Sequence, residues 1–94
     1  MTMDKIATDF AKELGNVRYR ELANKILGMS FKQAFVNLGG YNLDENEGFF
    51  DCNYKELSIT IWRDKFNGCY LNRAFDVWHG DISTPIVSNA TFNN

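Results

Sequence analysis

The feature that most constrains the fold is the segment from Leu57 to Trp78, in which two runs of alternating apolar and polar residues flank Asn67-Gly68. Alternation with a period of two is typical of a strand that is buried on one face. Asn-Gly between two such runs is a strong short-range signal for a β-hairpin. The segment therefore predicts two antiparallel strands, at residues 57–65 and 69–78, joined by a tight turn.

The length of the connecting loop decides which side chains share a face of this hairpin. A two-residue turn at Asn67-Gly68 would place Ile59 opposite Asp76, which mixes apolar and charged residues on both faces. A three-residue loop, 66–68, places Ile59 opposite Phe75 and separates the two kinds of residue. Because a slip of one residue moves all the side chains of a strand to the other face, we predict the three-residue loop.

In that register the hairpin has one apolar face and one face that mixes aromatic and acidic residues. The apolar face consists of Leu57, Ile59, Ile61, Phe75 and Val77. The other face includes Trp62, Asp64, Tyr70, Asn72 and Asp76. We expect helices to pack on the apolar face; the alternative is that they cover the aromatic-acidic face instead.

Three helix patterns precede the sheet, and each consists of a capping residue, an apolar stripe and a glycine. The capping residues are Thr2, Asn16 and Ser30, and the closing glycines are Gly15, Gly28 and Gly39. The first pattern spans residues 3–14, and its glycine is predicted to adopt a left-handed conformation. The third is the shortest, and its apolar residues would also suit a strand.

The second half of the chain has the pattern of a sheet. Residues 41–48 predict a polar connection, residues 49–54 a first strand, and Ile86 with Val87 a short edge strand before a loose C-terminal tail. The predicted fold is α+β, with two or three N-terminal helices packed on a three- to four-stranded antiparallel sheet. We expect one domain, 1–94, with a helical part at 1–40 and a sheet part at 41–94.

Composition excludes several classes of protein. The chain has 94 residues, of which 45% are hydrophobic, so it is long enough for one core and too apolar for a disordered protein. No window approaches the roughly 18 apolar residues of a membrane span, and the first ten residues lack the pattern of a signal peptide. The two cysteines, Cys52 and Cys69, are too few for a disulfide framework, and they lack the spacing of zinc ligands. We expect a cytoplasmic protein without a cofactor, a metal or a membrane partner.

The charge is unevenly distributed, although the net charge is only −2. Residues 1–40 hold six Lys and Arg against four Asp and Glu, whereas residues 41–94 hold four against eight. Part of the acidic excess is one short cluster, which consists of Asp44, Glu45, Glu47 and Asp51. The alternative to a functional cluster is a solvated loop that keeps the protein soluble.

These observations favour a binding protein over an enzyme. Trp and Tyr are enriched at binding hot spots, and a band of carboxylates attracts a basic groove through its long-range field. We therefore predict a small inhibitor or accessory protein, of the type that phages and mobile elements encode. It would act as a DNA mimic in a basic site of a partner, such as a nucleic-acid-binding enzyme, and a homodimer would extend the acidic band.

Two alternative functions compete with this prediction. A small nucleic-acid-binding module would use basic residues of the second helix and just beyond, namely Arg18, Arg20, Lys25 and Lys32. The acidic chain makes direct nucleic-acid binding unexpected. An enzyme would need the single histidine, His79, beside a cysteine, and the sequence does not bring them together.

Overall fold

The computed structural model describes residues 2–17, 30–46, 48–80 and 84–92, except for the side chains of Phe66 and Cys69. Their architecture is α+β, as predicted, with two helices and a five-stranded antiparallel sheet. In chain order the elements are α1 (Met3–Gly15), α2 (Phe31–Asn37), β1 (Tyr41–Glu45), β2 (Phe49–Tyr54), β3 (Leu57–Phe66), β4 (Cys69–His79) and β5 (Val87–Thr91). Neither of the two described helices is long and apolar enough to cross a membrane.

Both helices begin at the predicted caps. The Thr2 side chain accepts a hydrogen bond from the Lys5 backbone N–H at 3.2 Å, and Ser30 accepts one from Gln33 at 2.9 Å. Each bond satisfies a donor that the first helical turn leaves open. The prediction that Gly15 is left-handed was wrong, because Gly15 is the last helical residue and is buried. The helix predicted after Asn16 lies outside the described residues.

The sheet contains more strands than predicted. Its order is β1-β2-β3-β4-β5, so each strand pairs with its neighbours in sequence. The segment 41–48, predicted as a connection, contains β1, whose acidic residues are mostly exposed. Leu43 is the one residue of this edge strand that is partly buried against the core, so the strand carries little apolar signal, which explains the error. The C-terminal segment, predicted as a loose tail, is also part of the fold, because β5 extends to Thr91 and Phe92 is only 8% exposed.

The predicted hairpin register was wrong: Ile59 pairs with Val77 rather than with Phe75, and the difference begins at the turn. Phe66 pairs with Cys69, so the turn has two residues, and both Asn67 and Gly68 have positive φ, at 51° and 78°. Two positive values are what a type I′ turn requires. A bulge then places Arg73 as an extra residue on β4, between the pairs Trp62–Ala74 and Arg63–Asn72.

The bulge restores the predicted separation of faces in the rest of the hairpin. Beyond it, Ile61 pairs with Phe75 and Ile59 with Val77, so these apolar residues share one face. Both helices pack on this face, which we call the inner face. The fully buried residues that they enclose with the strands include Leu14, Phe31, Phe35, Phe50, Phe75, Leu57, Ile59, Ile61 and Val77.

Both edge strands of the sheet are irregular. Asn42 in β1 and Asn89 in β5 have φ of 56° and 52°, in the left-handed region that few non-glycine residues adopt. Each lies where the register with the neighbouring strand shifts. The two edges of the sheet are therefore bent rather than straight.

Gly40 is required by close packing between α2 and β1. A Cβ placed there would overlap the ring of Phe35, which is fully buried, whereas a Cβ at Gly48 meets nothing within 4 Å. We expect Gly40→Ala to lower the free energy of unfolding by about 1–3 kcal/mol, the usual cost of overpacking. Urea denaturation would measure the loss. Gly48→Ala is the matched control, and equal stabilities of the two variants would contradict this packing.

Candidate functional site

The face of the sheet opposite the two helices, which we call the outer face, carries most of the predicted binding residues. Trp62, Asp64 and Asp76 all lie on it, as predicted. Of these, Asp64 is exposed, while Trp62 and Asp76 are partly buried. Both described helices lie on the inner face, so neither of them covers Trp62 and the carboxylates.

Three carboxylates form a row across the outer face. Asp44 on β1 pairs directly with Asp51 on β2, Asp51 pairs with Thr60 on β3, and Thr60 pairs with Asp76 on β4. Neighbouring strands are about 4.8 Å apart, so this row spans roughly 15 Å of the sheet. We call Asp44, Asp51 and Asp76 the acidic row.

The members of the acidic row differ in how strongly the fold holds them. Asp76 uses both oxygens: Oδ1 accepts the Asn89 backbone N–H at 2.6 Å, and Oδ2 accepts Trp62 Nε1 at 3.0 Å. Asp51 Oδ1 accepts the Thr60 hydroxyl at 3.0 Å. Asp76 therefore joins β3, β4 and β5, while Asp44 and Asp51 place charge at the surface.

Aromatic rings lie on both sides of the acidic row. On one side the Phe49 and Trp62 rings are in contact, with centroids 5.7 Å apart. On the other side Trp78 pairs with Ser58 and lies partly buried on the same face. Sequence analysis missed Phe49 and Trp78, although Trp78 falls in the same alternation as Trp62 and Asp76 and could have been found by it.

Tyr70 does not join this surface. The two-residue turn and the bulge place it opposite Lys65 and on the inner side of the sheet, where the Arg63 guanidinium lies 4.4 Å from its ring centroid. The predicted pairing of Tyr70 with Trp62 was therefore wrong. Asn72, also predicted for the outer face, pairs with Arg63 and is 3% exposed.

The remaining predicted acidic residues are divided among other contacts. Glu45 forms an ion pair with Lys32. Asp64 Oδ1 lies 3.2 Å from Arg73 Nε, and both side chains are exposed. Glu47 lies outside the described residues. Of the described members of the predicted cluster, Asp44 and Asp51 belong to the acidic row and Glu45 does not.

The structure gives little support for the two alternative sites. Lys32 is engaged by Glu45, and the other basic candidates, Arg18, Arg20 and Lys25, lie outside the described residues. His79 Nε2 lies 3.9 Å from Glu56 at the surface. The described part of the chain contains no group of three or more His, Cys, Asp or Glu that would hold a metal ion.

Cys52 is a buried core residue on β2. Its Sγ lies 3.7 Å from the Ile59 carbonyl oxygen, and the residue is 2% exposed. Burial raises the pKa of the Cys52 thiol far above its usual range, and the neighbouring Asp51 carboxylate adds to the rise. The thiolate form, which is the reactive one, is thereby suppressed.

Comparison with protein-family models, with curated proteins and with solved structures found no match to this chain. The outer face therefore has to be interpreted from its own chemistry.

The two bonds of Asp76 predict a structural role that Asp64 lacks. Asp76→Ala leaves the Trp62 and Asn89 N–H groups without their acceptor, and we expect a loss of about 1.5–3 kcal/mol in the free energy of unfolding. Asp64→Ala removes an exposed ion pair, which contributes about 0–1 kcal/mol. Urea denaturation of the two variants gives the comparison. Equal losses would show that Asp76 does not tie the strands together.

The buried thiol predicts slow alkylation of Cys52. In a Cys69→Ser background, iodoacetamide at pH 8 should label the native protein at least about tenfold more slowly than the protein in denaturant. The raised pKa also means that folding stability falls as the pH rises above the unfolded thiol's value of about 8.5, because only the unfolded state then ionises readily. Native labelling as fast as in denaturant would contradict the burial of this thiol.

Proposed function

We propose that this protein is a non-enzymatic inhibitor or accessory protein, of phage or mobile-element type, that binds a cytoplasmic protein partner. Its outer face occupies a basic site on that partner, and in the sharper form of the proposal it does so as a DNA mimic. The contact surface consists of the acidic row and the aromatic rings beside it.

The observation that carries this proposal is the direct pairing of Asp44 with Asp51. Like charges opposite each other on neighbouring strands destabilise a sheet. Asp51 accepts the Thr60 hydroxyl, but no ion pair among the described residues offsets the repulsion between the two carboxylates. Natural sequences depart from local consistency mainly at functional sites. A partner that brings an arginine or lysine to the pair would turn the repulsion into an attraction.

The aromatic rings add apolar contact surface, which a row of carboxylates alone lacks. Trp62 and Trp78 are partly buried and present broad, rigid apolar surface on either side of the charges. Such rings anchor interfaces, since a few aromatic residues at the centre of an interface carry most of the binding energy. Charges at its rim mainly set the rate and the specificity of association.

The DNA-mimic form of the proposal rests on the same charges. Nucleic-acid-binding sites hold several cations that neutralise phosphates, and carboxylates spaced along a sheet meet the same cations. With a net charge of −2 the chain is a weak polyanion, so a homodimer would help. The bends at Asn42 and Asn89 disfavour a dimer formed by continuing the sheet, so we place the dimer contact elsewhere.

The double variant Asp44→Asn/Asp51→Asn tests the proposal. It removes two charges from the acidic row and keeps the side-chain shapes, so we expect binding to the partner to weaken by about tenfold or more. Removal of the like-charge pair should leave stability unchanged or raise it by roughly 0.2–1 kcal/mol. The partner would first be captured from the native host with the wild-type protein, and affinities would then be measured by calorimetry.

A second double variant separates the site from the overall charge. Asp4→Asn/Glu56→Gln removes the same number of exposed charges outside the acidic row and should bind like the wild type. If both double variants weaken binding equally, the outer face is not the contact surface. Duplex DNA should compete with the protein for the partner; binding that DNA leaves unchanged would overturn the DNA-mimic form alone.

A further inference from the structure

A small groove lies on the helix side of the molecule, between α1 and the turn that joins β2 to β3. Its volume is about 180 Å³, and it is lined by Ile6, Asp9, Phe10, Glu13, Tyr54 and Lys55. Sites for drug-sized ligands and cofactors are larger, at about 300–1,000 Å³. The groove has room for one extended side chain rather than for a small-molecule substrate.

The floor of the groove is aromatic. The rings of Phe10 and Tyr54 are stacked, with centroids 4.1 Å apart and planes 15° from parallel. Of these two rings, Phe10 is buried and Tyr54 is partly exposed. The face of an aromatic ring carries negative potential, so a partly exposed ring that lines a groove attracts cations.

The rim of the groove is acidic. Asp9 and Glu13 are exposed and lie four residues apart on α1, so both carboxylates project over the same side of the helix. The ammonium of Lys5 lies 3.3 Å from Asp9 Oδ2. Because Asp9 is already paired with Lys5, a cation that enters the groove would meet mainly the Glu13 carboxylate beside the Tyr54 ring.

The chain already places a cation of its own at the groove. Lys55 Nζ lies 5.5 Å from the centroid of the Tyr54 ring, within the range of a cation–π contact. The backbone carbonyl of Lys55 accepts a hydrogen bond from the Tyr41 hydroxyl at 2.8 Å. Because the turn is held through its backbone, the Lys55 side chain can leave the ring without any change in the strands.

We propose that this groove is a second binding site, which takes a lysine side chain of a partner protein in place of Lys55. The alkyl chain of the incoming lysine lies along Ile6 and Phe10, and its ammonium lies over Tyr54 near Glu13. The shape, the ring and the charge of the groove are complementary to that one side chain. This site is separate from the outer face and does not depend on the function proposed for it.

An NMR titration with a matched pair of probes tests the proposal. N-acetyl-lysine N-methylamide carries the ammonium, and N-acetyl-norleucine N-methylamide has a similar alkyl chain without it. We expect the lysine probe to shift the backbone amide signals of Asp9, Glu13 and Lys55, and the norleucine probe to leave them nearly unchanged. Equal shifts with both probes would overturn the proposal, because the groove would then select only for apolar surface.

Three variants examine the roles of individual residues. Lys55→Ala removes the competing ammonium and should tighten binding of the lysine probe, which a merely structural Lys55 would not do. Tyr54→Leu should weaken it about two- to fivefold, the equivalent of an exposed cation–π contact. Glu13→Gln is exposed and leaves the core intact, and it should weaken binding about twofold.

Controls keep this site distinct from the outer face. Glu56→Gln removes a nearby exposed carboxylate that does not line the groove, and it should bind the lysine probe like the wild type. Asp44→Asn/Asp51→Asn should do the same, so the two proposals fail separately. Unchanged or weaker binding by Lys55→Ala, or unchanged binding by Glu13→Gln, would refute the lysine site even if Tyr54→Leu failed to fold.

Discussion

The packing of Phe31 holds the architecture together. Its ring is fully buried. The centroid of this ring lies 5.6 Å from that of Phe50 on β2 and 5.4 Å from that of Phe92, just after β5. Phe35 stacks beside it on the same helix. A short helix is thereby fixed to the second strand of the sheet and to the segment that follows the fifth. A helix of seven residues has little stability of its own, so tertiary contacts of this kind decide where it lies. The contacts of Phe31 therefore hold α2 against the inner face.

Much of the fold could be predicted because local signals agreed with one another. Thr2 and Ser30 each precede an apolar stripe with helical spacing, and both cap their helices as expected. The alternation in β3 and β4 identified the apolar face that the helices cover. β1 was missed because Tyr41–Glu45 is an edge strand whose side chains are mostly exposed, so its place in the sheet depends on pairing with β2 rather than on an apolar pattern.

The candidate site was predicted only in part, and the reason is the bulge at Arg73. Alternation along a strand predicts faces correctly as long as every residue is paired. An extra residue moves the side chains on one side of it to the opposite face of the sheet. No residue type marks where such a bulge will occur. Trp62 and Asp76 lie beyond the bulge and were placed correctly, whereas Tyr70 lies between the bulge and the turn and was placed on the wrong face. The hydrogen bonds that Asp76 accepts from Trp62 and Asn89 depend on the pairing of distant strands, which the sequence does not reveal.

The left-handed asparagines at the two edges of the sheet have a consequence for the behaviour of the protein at high concentration. A straight, open edge strand offers a row of unpaired N–H and C=O groups on which another chain can add, and repeated addition leads to fibrils. Asn42 in β1 and Asn89 in β5 bend both edges out of that geometry. The same two residues therefore disfavour edge-to-edge addition of further chains to an aromatic-rich sheet.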